Sequence, residues 1–229
     1  MNRRHLSRRE TGLRLAIRIA SAFILLCGML FLPAGTFSYW EAWLYLATLF
    51  IPMMFVLAYF LKNDPGLLER RMRMREKEAE QRRIVMLSFV YFLVTFTIPG
   101  FDRRFGWSNV PPFLAVVADT VVFLSYGAFF LVLKENRFAS RTVEVEAGQE
   151  VVSSGPYAVV RHPMYLCVLV MYIASPLALG SYWGLMPSVF IIPILIARIR
   201  SEERVLVREL KGYKAYEKKT RFRLLPGIW

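Results

Sequence analysis

The sequence predicts an all-α integral membrane protein of about six transmembrane helices, ending in a helical hairpin and a polar cap. Three observations carry this prediction. Of the 229 residues, 56% are hydrophobic, above the roughly 45–50% of soluble domains. The apolar residues gather into six segments, near 15–33, 42–61, 84–99, 112–133, 164–179 and 182–198. Lysine and arginine fall almost wholly in alternate connections between them, as the positive-inside rule requires of a multi-pass protein.

Taken in order, the first segment follows a basic head, as in a signal peptide, but has no clear small-x-small cleavage site. With more apolar segments behind it, it is expected to be a retained helix. The second and fourth have the ~20 residues that a bilayer core of about 30 Å demands. The third is short and is expected to end at Pro99-Gly100. The fifth and sixth are also short and read as a hairpin turning at "ALGSYWG", where Tyr182 and Trp183 suit a membrane interface. A five-span version places one short segment in the interface.

Orientation follows from the basic residues. Stretches 1–14, 62–83, 134–163 and 198–229 carry 27 of the 30 Lys and Arg. The connections on the other side carry only Arg103 and Arg104, and Arg18 lies within the first segment. Six spans with both termini in the cytosol are therefore expected. The same distribution explains the net charge of +13 without a nucleic-acid partner, and anionic membrane lipid is the expected contact of the basic stretches. Cys27 and Cys167 both lie inside apolar runs, so they read as small packing residues. The sequence shows no CxxC pair or zinc pattern, and no metal site is expected.

The polar connections have their own character. "KNDPGLLERRMRMREKEAEQRR" reads as a charged helix after Asp64-Pro65, and "RTVEVEAGQEVVSSGPY" as a short hairpin-like alternation about Gly148-Gln149. The C-terminal stretch begins as a helix continuing from the sixth segment and is expected to break at Gly212. His5 reads as a solvated tail residue. Asp119, inside the fourth segment, is an intramembrane acid and so a default functional position, with a structural role as its simpler reading.

Two polar clusters bear on chemistry. In "GPYAVVRHPMY", Pro163 suits the first turn of a helix because its missing N–H has no partner to lose there. Backbone amides at that end favour an anion, with His162, Tyr157 and Tyr165 beside it. In "RIRSEE", Arg198 and Glu202 are four residues apart and share one helix face, while Arg200 and Glu203 are expected to point elsewhere. A hairpin over 164–198 would return "RIRSEE" to the face where "RHPMY" begins. Each cluster alone has a plain reading, as an interfacial helix start and as a surface ion pair. Together they suit a ligand bearing both charges.

"GPYAVVRHPMY", followed across a membrane hairpin by "RIRSEERVL" and "GYKAY", resembles the isoprenylcysteine carboxyl methyltransferase family, a membrane group related to phospholipid N-methyltransferases. The resemblance covers about 134–229, most specifically 149–165 and 198–216. The first half is similar only in being a set of membrane helices. The resemblance implies S-adenosyl-L-methionine as the cofactor, in a pocket built by the hairpin and cap. It implies Gln149, Glu150, Val151, Val152, Tyr157, His162, Pro163, Met164, Tyr165 and Glu202 as cofactor-binding positions. Arg198 would serve the acceptor and the reacting centre. Eukaryotic members carry a glutamine where this chain has sequence near Thr142. On this reading 1–133 shapes acceptor access and 134–229 is catalytic.

The expected activity is transfer of a methyl group to a lipophilic acceptor, carboxyl O-methylation first and lipid or small-amine N-methylation as the alternative. A carboxylate acceptor is already ionised and needs positioning more than a base. Arg198 could hold it but, always protonated, could not act as one. An amine acceptor would need a proton acceptor, for which Glu202, Glu203 and His162 are candidates. A non-catalytic transporter subunit or scaffold is the rival class. It would spread polar residues through mid-membrane positions, whereas this chain concentrates them at one face.

Overall fold

The structure, a computed structural model, describes residues 8–72, 79–146 and 148–229. The expected solvated His5 and the middle of the charged stretch, 73–78, lie outside the described residues. Among those described the fold is all-α: α1 (Arg8–Ala34), α2 (Trp40–Asn63), α3 (Pro65–Met72), α4 (Ala79–Phe105), α5 (Pro112–Glu135), α6 (Pro163–Ala178), α7 (Leu185–Ser188), α8 (Ile191–Glu209) and α9 (Tyr213–Lys219), with a 3₁₀ turn at Gly155–Ala158.

Four helices, over Glu10–Ala34, Trp40–Asn63, Glu80–Phe105 and Pro112–Glu135, have the length and apolar composition to cross a membrane. Helix α6 is apolar but shorter; its 16 residues rise only about 24 Å at ~1.5 Å each. The bundle packs α5 along α6 and α1 along α4, with α8 against α4. Its main core lies where Leu30, Tyr45, Leu46, Phe96, Val122 and Leu179 are buried together.

Helix α4 does not stop at Pro99-Gly100 as expected; it runs on to Phe105. The proline removes one backbone hydrogen bond, a loss that membrane helices tolerate when neighbours re-pack around it. Gly100 is there for a different reason than termination. A Cβ on it would lie 2.6 Å from the Leu30 carbonyl oxygen of α1, so it permits the close approach of two helices.

The expected sixth segment, 182–198, is split into α7 and the first turns of α8. Pro193 has no N–H to give the carbonyl of Val189, which instead accepts from Ile192 at 3.1 Å. A tight turn there separates the two helices. The hairpin-like alternation about Gly148 forms no strand among the described residues. Its turn is present, with Gly148 at φ 74° and the Gln149 amide donating to the Glu146 carbonyl at 3.1 Å, but its flanks run as irregular chain.

Polar contacts gather each end of the bundle. At the end away from the basic residues, Tyr39 donates to the Leu179 carbonyl and Asp102 accepts from Ser108 and Ser181. At the basic end, Arg18 donates to the Met72 carbonyl at 2.7 Å, which gives a charged residue inside α1 its partner at the C-terminus of α3. Asp119 accepts from Thr48 at 2.6 Å and joins α5 to α2.

Candidate active site

Helix α6 begins at Pro163 with His162 as its N-cap, and α8 brings Arg198, Glu202 and Glu203 back to the same end of the bundle. Between them lies a cleft of about 830 Å³, part of it open to solvent. The cleft is lined by residues of the irregular stretches 136–144 and 149–152 and of α8 and α9.

Of the residues singled out in the sequence, Gln149, Glu150, Val151, Val152, Tyr157, His162, Met164, Tyr165, Arg198 and Glu202 all line this cleft. Pro163 is buried beside it but does not line it; its contribution is to start α6. The Tyr165 hydroxyl joins the two clusters. It donates to Glu202 Oε2 at 2.6 Å and accepts from Arg198 Nε at 3.3 Å. Arg198 Nη2 also donates to the Arg141 carbonyl at 2.7 Å. Arg198 and Glu202 thus share a face of α8, as their spacing requires, and a tyrosine from α6 lies between them.

Gln149 turns its side-chain oxygen back to the Glu146 amide at 3.0 Å. Val151 packs with Leu210, Tyr213 and Tyr216, and Val152 with Tyr157 and Cys167. Tyr216 donates to the Tyr157 carbonyl at 2.8 Å. Gly212, at φ 89°, makes the turn between α8 and α9 that brings these tyrosines under the cleft; only glycine adopts that conformation without strain. Burial raises the phenol pKa of Tyr157, of Tyr213 and of Tyr216, the last to about 12. All three are neutral hydroxyls at physiological pH, suited to packing and hydrogen bonding.

Glu203 points elsewhere than Arg198 and Glu202, as expected, and does not line the cleft. It is 5% exposed and stands at the centre of a buried charge network. Arg161 Nε lies 2.7 Å from Oε1, His162 Nε2 3.3 Å from Oε1, and Arg223 Nε 2.6 Å from Oε2. Arg161 also donates to the Thr220 and Arg221 carbonyls, both at 3.0 Å. The amides of Arg161 and His162 donate to the Phe222 and Arg223 carbonyls at 2.9 Å. His162 therefore has its ring on Glu203 as well as lining the cleft, and Arg161 pins the C-terminal segment to the mouth of α6. A signal for Glu203 was present in the sequence: it falls on the stripe Leu195–Ile199–Glu203, an acid where an apolar residue belongs.

Burial by itself would raise the Glu203 carboxyl, but hydrogen bonds from His162, Arg161 and Arg223 outweigh it and lower the pKa from 4.5 to about 2. A carboxyl depressed in the folded protein contributes stability above its unfolded pKa and loses it as pH falls through the folded one. Thermal unfolding in detergent is accordingly expected to weaken between pH ~4.5 and ~2. Glu203→Gln should lose about 3–5 kcal/mol at neutral pH, since it leaves buried cations uncompensated, and should flatten that acid-dependent slope. A variant as stable as the parent at neutral pH would remove Glu203 from the network's centre.

A second cavity adjoins the first. An apolar groove of about 1620 Å³, also partly open, runs between α4, α6 and α8, lined by residues such as Phe89, Phe92, Val168, Tyr172 and Leu195. Ser140, Arg141, Met164, Tyr165 and Arg198 line both cavities.

Residues 113–212 match the phospholipid methyltransferase family model. The match supports a membrane methyltransferase, a kind of enzyme that generally takes its methyl group from S-adenosylmethionine. It spans α5 to the turn at Gly212 and takes in every sequence-predicted site residue. The matched family is the phospholipid group to which the motif resemblance is related. No curated protein matches the chain significantly.

The cleft has the chemistry for S-adenosylmethionine. Glu202 and Glu150 would offer carboxylates to an ammonium or sulfonium, and Tyr157, Tyr213, Leu206 and Leu210 would offer flat and apolar surface to a purine. At the α6 end His162 lines the cleft, where its imidazole would face a carboxylate, while the Arg161 guanidinium is taken up by Glu203 and the C-terminal carbonyls.

Proposed function

We propose that the protein is an S-adenosylmethionine-dependent methyltransferase acting on a lipophilic acceptor, with carboxyl O-methylation as its chemistry. The observation that carries this reading is the junction of two cavities. A polar cleft and an apolar groove share Met164, Tyr165 and Arg198, so a water-soluble donor and a lipid-phase acceptor can meet at one point.

When bound, the cofactor would supply an electrophilic methyl group on a sulfonium, with the thioether as its leaving group. Glu202 would hold the donor's cationic part. Arg198, oriented by Tyr165 and by the Arg141 carbonyl, holds an anionic acceptor in line. Apolar walls exclude water from the meeting point, which strengthens both charge contacts. The reacting corner carries the guanidiniums of Arg198 and Arg141, and a carboxylate needs nothing more. In this reading six passes are made, the basic face is cytosolic, 1–133 shapes acceptor access and 134–229 carries the cofactor.

N-methylation of a lipid amine is the second reading, favoured by the family matched over 113–212. It requires a proton acceptor near the amine, a role open to Glu202. A labelled-methyl transfer assay with membrane lipid extract and prenylcysteine analogues separates the two. A carboxyl acceptor gives a methyl ester that alkali cleaves to volatile methanol, whereas a methylated amine survives alkali. Absence of both transfer and cofactor binding in a folded sample would exclude the enzyme reading.

A further inference from the structure

Arg70 and Arg71 are neighbours on α3 with opposite electrostatic situations. Arg70 has Asp64 at 3.6 Å and Glu146 at 3.9 Å. Arg71 faces the groove, where its Nη1 lies 3.4 Å from the Met164 sulfur and its guanidinium sits 5.4 Å from the centre of the Phe129 ring. Among the described residues no carboxylate lies within ion-pair distance of it. Burial lowers its pKa, the Tyr165, Tyr157 and Tyr126 hydroxyls act against that, and the nearby Arg141 charge adds to it. A half-buried cation whose neighbours are a thioether, an aromatic ring and tyrosine hydroxyls, with no carboxylate among the described residues, is better satisfied when something anionic joins it.

Its position is built rather than incidental. Leu67 and Leu68 bury α3 against Leu57, Phe60, Leu133 and Ala139. The Asp64 carboxylate accepts from the Leu67 amide at 2.9 Å, Arg18 holds the Met72 carbonyl, and Ser140 donates to the Arg70 carbonyl at 3.3 Å. These contacts fix Arg71 beside Met164, in the groove that Arg198 and Tyr165 also line. Arg71 lines the groove but not the cofactor cleft.

We propose that Arg71 is a specificity-determining residue of the acceptor site, binding an oxyanion, phosphate or carboxylate, on the headgroup of a lipid whose chain fills the groove between α4, α6 and α8. The proposal rests on the groove being the acceptor site. A guanidinium matches either oxyanion bidentately, and its place in the groove leaves Arg198 to the reacting group. A neutral diacyl lipid would leave Arg71 unpaired and should be rejected on that account.

The test measures lipid retention by native mass spectrometry of the purified full chain, with dioleoyl phosphatidate, oleate and dioleoylglycerol as probes. Cofactor binding is measured in parallel by calorimetry. The wild type should retain phosphatidate or oleate over dioleoylglycerol by about 10- to 100-fold, the worth of one charge-assisted pair. Which of the two it favours identifies the oxyanion. Arg71→Gln should erase the preference, and Arg71→Lys should restore part of it. Equal retention of the neutral lipid by the wild type, or an unchanged preference in Arg71→Gln, would overturn the proposal. Cofactor affinity in Arg71→Gln should equal that of the wild type, which also certifies its fold. If the variant does not fold, Arg71→Lys decides, since wild-type retention with the weaker point charge would argue against bidentate recognition. Loss of cofactor binding in the wild type itself would sink the enzyme reading instead, while the lipid preference would still decide the role of Arg71.

Discussion

Glu202→Ala is expected to abolish measurable S-adenosylmethionine binding in a protein that remains folded. Glu202 lines the cleft, where its carboxylate accepts from Tyr165 at 2.6 Å. The charge network that docks the C-terminal segment uses Glu203, one residue on, so truncating Glu202 should spare the fold. The donor is cationic at sulfur and at its amine, and a carboxylate in a partly desolvated cleft is worth about 2–5 kcal/mol to such a ligand. That corresponds to a loss of roughly 30- to several-thousand-fold in affinity. Calorimetry on the purified variant checks it, with thermal unfolding as the fold control. Wild-type affinity would remove Glu202 from the site.

Arg198→Ala is expected to keep cofactor affinity nearly intact and to stop turnover. Arg198 stands where the cleft opens into the groove, its guanidinium held by the Tyr165 hydroxyl and the Arg141 carbonyl. If it orients the acceptor's anion for in-line attack, the loss falls on kcat, by about 10²–10³-fold as for other preorganised charge contacts. Single-turnover methyl transfer beside calorimetry separates the two quantities. Arg198→Lys should recover part of the rate, since a point charge replaces a fixed fork. Equal loss of affinity and rate would make Arg198 a cofactor residue or a structural one.

The local parts of this site were legible in the sequence. Pro163 at the first turn of α6, the shared face of Arg198 and Glu202, and the break at Gly212 all follow from rules that act within a few residues. Proline's missing N–H, the helical repeat and glycine's positive φ do not depend on what packs nearby. The α4 helix failed as a local reading because Pro99-Gly100 was judged alone. Packing against Leu30 of α1 turned an apparent stop into a helix–helix contact.

Charges divide along the same line. From the sequence, Glu202 and Glu203 are adjacent acids and Arg70 and Arg71 adjacent bases. The fold gives Glu203 two guanidiniums and an imidazole from segments 20 to 42 residues away, and it gives Arg71 a sulfur and a ring but, among the described residues, no carboxylate. The sequence by itself determined a helical membrane bundle with most of its basic residues at one end, because hydropathy, helical period and basic-residue asymmetry are summed along the chain. Only the tertiary structure decided which charges are neutralised, which line the cleft and which face the groove, because the energy of a buried charge is set by neighbours that meet it only on folding.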